Sequence, residues 1–349
     1  MIGVGIIGCG GIAGFHIASY QDIPGCRIAA VSSASEQSAR RAGESLHVDW
    51  YTDYREMLKR DDIDVVSICT PSGLHAEEAI DCANAKKHVI VEKPLDVTLE
   101  KIDAMIRSCR ENHVLLSCIF NFRYCESYRF VKRTVDEGRF GHLINCNAYV
   151  RWYRKPEYYA GSKWRGTLKL DGGGALMNQS VHYVDLLQWI AGGVESVMAY
   201  TGTLLHRSIE AEDTAVAALR FQNGALGAIV AGTSIYPGYE ARLEITGSRG
   251  SAAVTDGVIT DWSFVDDDPL DRQAKAYAAV SGGENRRASD PLAFDHRYHE
   301  QQIRQTVEAI RSGGAPDIGG EQARASVQII LAIYESARTG KRVVLNGSV

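Results

Sequence analysis

Ile2-Gly3-Val4-Gly5-Ile6-Ile7-Gly8-Cys9-Gly10-Gly11-Ile12-Ala13, near the start of the 349-residue chain, carries the pattern of a strand, a turn and a helix start. An apolar run rich in β-branched residues gives a buried strand. The G-x-G-x-x-A that follows, Gly8 to Ala13, has the glycines a phosphate-binding turn requires. The first permits a tight turn, the second lets backbone approach a pyrophosphate, and a small third residue lets helix and strand pack closely. A helix beginning here offers its unpaired N–H groups to an anion. Gly8, Gly10, Gly11, Ile12 and Ala13 are therefore candidate dinucleotide contacts.

Strand and helix patterns alternate through the first 120 residues. Apolar runs at Arg27–Ser32, Asp64–Cys69, His88–Val91 and Val114–Cys118 are separated by helical patterns at Glu36–Leu46, Tyr54–Lys59, His75–Ala85 and Leu99–Asn112. This spacing predicts an α/β Rossmann domain over 1–120, a doubly wound parallel sheet. From Asn121 the pattern changes to strands punctuated by turns, at Leu143–Arg154, Val197–Leu204, Thr214–Phe221, Ala225–Thr233, Arg242–Thr246 and Ser251–Val254. Helices are expected near Glu126–Glu137, Gly174–Ala191, Arg297–Arg311 and Gly320–Arg338. The second domain, 121–349, is thus α+β with a large, mostly antiparallel open sheet. Asp266–Asp290, dense in Asp, Gly, Ser and Arg, is expected to be a surface excursion.

Composition narrows the function. A formal charge of −5 and a pI near 6.1 argue against nucleic-acid or anionic-membrane partners. No run nears the roughly 20 apolar residues that cross a bilayer. With no basic leader at the start and eight cysteines that never form a C-x-x-C pair, the chain is expected to be cytoplasmic with free thiols and no structural metal.

The ends of the later strands carry further candidates. After the second strand come Ser32 and Ser33, with no acid before Glu36. An acid there would accept a ribose 2′-hydroxyl and repel a 2′-phosphate; serines can donate to the phosphate, and Arg40 or Arg41 can neutralise it. NADP is therefore favoured, with NAD as the alternative. Thr70, Pro71 and His75 follow the third long strand, and Glu92-Lys93-Pro94 follows the fourth. Both fall where ligands bind in open α/β sheets. In the second domain, Asp171-Gly172-Gly173-Gly174 leads into a helix on which Asn178, His182 and Asp185 would share one face. Arg151 to Tyr159 and Lys163 to Thr167 interleave aromatic and basic residues that suit a hydroxylated ring.

These residues together resemble the glucose–fructose oxidoreductase and inositol dehydrogenase (Gfo/Idh/MocA) family. The resemblance rests on the G-x-G-x-x-A, Thr70-Pro71 with His75, Glu92-Lys93-Pro94, Asn121-Phe122-Arg123-Tyr124, the triple glycine with His182 and Asp185, and the closing Tyr334 to Lys341. It implies an NAD(P)-dependent oxidoreductase that moves a hydride between nicotinamide and a CH–OH carbon of a sugar, sugar derivative or cyclitol. It also implies a homodimer or homotetramer, and a lysine, here Lys93, beside nicotinamide and substrate. Lys93, His182 and Asn178 become the catalytic candidates. Arg123, Tyr124, Tyr153, Trp164, Arg165 and Asp185 become the substrate candidates. Many relatives carry aspartate where this chain has Asn178. Asparagine can orient a hydroxyl but accepts no proton, so acid–base work falls on His182 or Lys93. The pair Asn178-Gln179 is similar to members that oxidise sugar-nucleotide uronic acids at C3. Two other readings remain open: a glycoside hydrolase using tightly held NAD transiently, and a non-catalytic dinucleotide-binding regulator.

Overall fold

The computed structural model describes residues 1–279 and 296–345, and the chain divides into two compact units, Met1–Asn121 with Phe294–Arg324, and Phe122–Ala293 with Ala325–Val349. In the first unit, β1 (Ile2–Ile7), α1 (Gly11–Gln21), β2 (Cys26–Ser32), α2 (Glu36–Leu46), β3 (Asp49–Tyr51), α3 (Tyr54–Leu58), β4 (Val65–Ile68), α4 (His75–Asn84), β5 (His88–Val91), α5 (Leu99–Glu111) and β6 (Leu116–Cys118) alternate as the two periodicities dictate. The six strands pair in parallel in the order β3-β2-β1-β4-β5-β6. The order reverses between β1 and β4, so the carboxyl ends of those strands flank the crevice where such sheets take ligands. Val4, Ile6, Val31, Val65 and Ile90 fill the core.

The linear boundary at residue 120 leaves out one piece of this unit. The helix Arg297–Ser312 packs on α1, with Ile303 and Val307 in the same apolar cluster as Val4 and Tyr20. Gln302 bonds the backbone of Cys118 and Phe120, at 2.6 and 3.0 Å, beyond the end of β6. A helix far along the chain thus completes the first unit.

The second unit contains α6 (Glu126–Asp136), β7 (Leu143–Arg151), α7 (Pro156–Ala160), α8 (Val181–Ala191), β8 (Val194–Gly202), β9 (Thr214–Phe221), β10 (Leu226–Gly232), β11 (Arg242–Gly247), β12 (Gly250–Thr255), β13 (Val258–Phe264) and α9 (Leu270–Ala279), with β14 (Val343–Val344) near the chain's end. Eight strands form one sheet in the order β13-β12-β11-β7-β10-β9-β8-β14, antiparallel except where β10 runs parallel to β7. Alternation puts Val197, Ala199, Ala217, Leu219, Ile229 and Ala231 inside, and α8 packs across β7 and β11.

Two expectations change here. The helix predicted over Gly174–Ala191 is in two parts: Ala175–Ser180 is a π-helix and only Val181–Ala191 is α-helical. A π-turn holds more residues than an α-turn, so the i, i+4, i+7 argument does not put Asn178 on the His182–Asp185 face. The expected excursion over Asp266–Asp290 contains α9, whose Leu270, Ala274 and Tyr277 recur at helical spacing. Ala274 is buried and Tyr277 packs on Phe130. Residues 280–290 of that excursion lie outside the described residues.

Candidate active site

The glycine turn of the first unit has the geometry a pyrophosphate needs. Gly8 has φ +93°, and a Cβ there would meet the Cys69 backbone at 2.7 Å, so only glycine fits. A Cβ on Gly10, by contrast, would project into open space, leaving the backbone approachable. Gly10 caps α1 without a side-chain hydrogen bond, and Ile12 and Ala13 lie in the first turn with no acidic neighbour. The helix N-terminus therefore keeps N–H groups and a partial positive charge for an anion. Buried Ser32 steadies the turn through its carbonyl, which accepts from Gly8 N at 2.8 Å and Cys9 Sγ at 3.5 Å. Ser33 and exposed Arg41 follow; burial raises the Cys9 thiol pKa and the Arg41 charge partly offsets this. Arg40 instead pairs with Glu44 at 2.7 Å.

The turns after β4 and β5 are tied to each other. His75 spans them, Nε2 to Thr70 O at 2.9 Å and Nδ1 to Pro94 O at 2.8 Å. Burial lowers its pKa, and the two carbonyls oppose that shift. Thr70 Oγ1 donates to Glu78, whose burial raises its pKa to about 7. Pro71 caps the short turn Ser72–Leu74. Glu92 is buried, with Oε1 at 3.0 Å from His16 Nε2 and 3.3 Å from His299 Nε2, while Oε2 accepts from Lys93 N at 3.1 Å. Burial alone would raise the Glu92 pKa; hydrogen bonds and charge from the two histidines win and hold it well below the usual carboxylate range. Lys93, half-buried, leads out of this anchored carboxylate. His16 and His299 escaped the sequence reading, because nothing local links residues 283 positions apart.

In the second unit, Asn178 Nδ2 donates to Asp171 Oδ1, and Asn178 Oδ1 accepts from Gln179 Nε2 at 2.5 Å. The Asp171 Oδ2 accepts from Gly166 N at 2.7 Å. Gln179 Nε2 reaches Tyr158 OH at 2.8 Å, and its Oε1 accepts from Arg154 Nε at 2.9 Å. Arg154 is only 1% exposed and stacks over Trp152 and Tyr158; Arg165 stacks over Tyr158 at 4.3 Å and Trp164 at 5.5 Å. Asp171, Tyr158, Gln179 and Arg154 thus join the expected Asn178, Trp164 and Arg165 in one polar and aromatic network. Basic residues interleaved with aromatic ones from Arg151 to Tyr159 and from Lys163 to Thr167 were the sequence signal for it. His182, half-buried on the first turn of α8, stacks on Phe122 with ring centroids 4.5 Å apart. Tyr153 packs edge-on against Tyr236 at 5.3 Å.

Three expected substrate contacts, Arg123, Asp185 and Tyr124, have partners within the protein. Arg123 and Asp185 form a buried bidentate pair with each other, at 2.7 and 2.6 Å, and Ser326 Oγ donates to Asp185 at 2.9 Å. That pairing locks the 3₁₀ turn Asn121–Tyr124 to α8 and commits both side chains. Buried Tyr124 lies under the Arg129 guanidinium, 5.0 Å away.

The π-helix is itself held by a carboxylate. Glu212 accepts from Leu176 N at 2.7 Å, Gly174 N at 3.0 Å and Tyr334 OH at 3.0 Å. Burial raises its pKa to about 7 against those hydrogen bonds. A Cβ on Gly174 would sit 2.0 Å from Glu212 O, which explains the glycine.

A doubly wound sheet with an uncapped glycine turn, joined in one chain to an open-sheet unit rich in buried polar groups, defines a dinucleotide-dependent oxidoreductase. Residues 2–120 match the model of the oxidoreductase family with an NAD-binding Rossmann fold, and residues 128–253 match the Gfo/Idh/MocA C-terminal domain. The chain belongs to the Gfo/Idh/MocA family of oxidoreductases. It is 32% identical over 256 residues to the uncharacterized oxidoreductase YrbE of Bacillus subtilis, covering 71% of this chain and 72% of the relative. It is 28% identical to the myo-inositol 2-dehydrogenase of Thermotoga maritima, with 98% of each chain covered. The WlbA dehydrogenase from Bordetella pertussis, solved in complex with NADH and UDP-GlcNAcA, superposes with a TM-score of 0.91 at 33% identity, covering 99% of this chain and 98% of that one.

Proposed function

We propose that this oxidoreductase is a dehydrogenase acting on a secondary hydroxyl of a sugar, and that its substrate class is a nucleotide-linked hexuronic acid. The observation that carries the substrate class is the Arg154–Gln179–Asn178–Asp171 network with Arg165 alongside: cationic and amide groups that complement a carboxylated, phosphorylated sugar. Likeness to the WlbA dehydrogenase over nearly the full chain supports the same class.

The glycine turn from Gly8 to Ala13, with Ser33, Thr70 and Pro71 beside it, would hold the dinucleotide, which supplies the hydride acceptor or donor when bound. The protein's part is proton handling and orientation. His182 takes the hydroxyl proton, as suits an imidazole near neutral pH. Lys93, anchored through its backbone by Glu92, polarises the substrate oxygen. Asn178 is fixed by Asp171 and Gln179, so it orients a hydroxyl without competing for its proton. Arg123 and Asp185 act by holding α8. NADP is preferred to NAD: no acid follows β2 before Glu36, and Ser33 and Arg41 provide a donor and a charge for a 2′-phosphate.

A substrate screen with both nicotinamides, followed by absorbance, tests this reading. UDP-linked hexuronic acids should be turned over, with kcat/KM at least ~100-fold above myo-inositol and free hexoses. Equal or better activity on inositols or free sugars would reject the substrate class. The kcat/KM ratio for NADP over NAD should exceed one, and a strong NAD preference would reject the cofactor reading.

A further inference from the structure

Behind the end of β5 six side chains form a continuous hydrogen-bonded chain. Tyr20 OH lies 2.9 Å from Ser67 Oγ, which lies 3.1 Å from His16 Nδ1. His16 and His299 then meet at Glu92, and Asn121 Nδ2 lies 3.1 Å from His299 Nδ1. All six are buried. The protons follow from the carboxylate. Ionised Glu92 only accepts, so both Nε2 atoms carry the hydrogen facing it, and the His299 Nδ1 accepts from Asn121 Nδ2. The Glu92 carboxylate is thereby held ionised between its two imidazole partners. Buried charged clusters can often be replaced by apolar residues of similar volume without loss of stability, so packing alone gives no reason for two histidines and a carboxylate. Two observations give one. The other Glu92 oxygen accepts the Lys93 N–H, and the Lys93 charge is among the influences that lower the His299 pKa, after burial.

We infer that the His16–Glu92–His299 cluster is a positioning device for Lys93, fixing its main chain and keeping a negative charge beside its ammonium. This rests on the reading of Lys93 as the group that polarises the substrate oxygen. Glu92 is faced by His16 from α1, His299 from the helix Arg297–Ser312, Cys69 from the end of β4 and His75 from α4, with Lys93 next in sequence. A carboxylate held ionised favours the charged form of a nearby ammonium, which is the form that polarises a substrate oxygen.

The test uses the full chain, with NADPH affinity by fluorescence, thermal unfolding, and pH profiles of kcat and KM. Glu92→Gln should lower kcat by ~10-fold or more with substrate KM and NADPH affinity nearly unchanged. The basic limb of its kcat profile should move to lower pH by roughly one unit. His299→Leu should behave alike, whereas His299→Gln, which still donates to Glu92, should recover most of the rate. A folded Glu92→Gln with the wild-type profile and kcat would overturn the inference. If Glu92→Gln does not fold, the two His299 variants decide, and equal rates in both would overturn it. One equivalent of divalent metal in the purified protein, lost in His299→Leu, would also overturn it, since the three ligand atoms lie within 4.8 Å of one another and would then be a metal site. Lys93→Ala separates the two layers. Wild-type turnover there rejects the role of Lys93 itself, while an inactive Lys93→Ala with an unmoved Glu92→Gln profile rejects only the positioning device.

Discussion

Asn178 shows how one atom type constrains the chemistry. Its amide N–H₂ donates to Asp171, so an aspartate at 178 would set carboxylate against carboxylate. Two carboxylates sharing such a site push one pKa up, because they cannot both ionise cheaply. Asn178→Asp is therefore expected to be soluble but impaired, with turnover down ~10-fold or more at pH 8 and partly recovered at lower pH, where the pair shares a proton. A pH–rate profile checks this; full activity at pH 8 would show that Asp171 does not hold residue 178. Ser33→Asp should shift the nicotinamide preference towards NAD, read as the ratio of kcat/KM values, because an acid repels a 2′-phosphate and accepts a 2′-hydroxyl. The glycine turn, Lys93 and His182 were legible as candidates because their chemistry is local to a motif. The Arg123–Asp185 pair was visible as two residues but not as partners. Sixty-two positions separate them, and only the folded chain shows that they neutralise each other.

Elements with strong periodicity and unambiguous punctuation stand where the sequence put them: β1, α2, β5 and β9 match their expected bounds. Those that were missed have physical reasons. Three-residue β3 is too short to show a pattern. Edge strand β13 exposes Thr260, Asp261 and Ser263, which breaks the apolar alternation, although Asp256-Gly257, both at positive φ, was a hairpin signal. The π-helix Ala175–Ser180 owes its form to tertiary contacts, above all Glu212 binding the backbone of Gly174 and Leu176, which no local propensity encodes. Gly174→Ala is thus expected to destabilise the chain by about 2 kcal/mol or more and to lower activity, since a methyl at 2.0 Å from Glu212 O must displace the π-helix. Denaturant unfolding with an activity assay measures both, and a variant of wild-type stability and rate would show the segment to be more yielding.

At the scale of the whole molecule, stability should depend on pH through buried acids of opposite sign. Glu78 and Glu212, each raised to about 7, hold protons in the folded chain where the unfolded chain has lost them, so stability falls as pH rises from about 4.5 to about 7. Glu92, held low, contributes stability above about 4.5 that is lost as pH falls further. Thermal unfolding should therefore show its maximum on the acid side of neutrality, and Glu78→Gln should flatten the decline towards pH 7 by on the order of 2 kcal/mol. A decline of the same depth in that variant would remove Glu78 from the account. The outer face of the large sheet bears Met198, Tyr200, Val216 and Leu226, with Tyr200 77% exposed, and Tyr200 and Val216 sit opposite each other on neighbouring strands. Such a face is expected to pair with a second copy of the chain, so light scattering should give a dimer or tetramer mass. No described helix is long and apolar enough to cross a membrane.

Steady-state turnover of Lys93→Ala and His182→Ala on a UDP-linked hexuronic acid, paired with nicotinamide binding by fluorescence, probes the roles of these two side chains directly. Each variant should lose at least ~100-fold in kcat while binding the dinucleotide within a few-fold of the parent chain. Parent-like kcat in either variant would contradict the account.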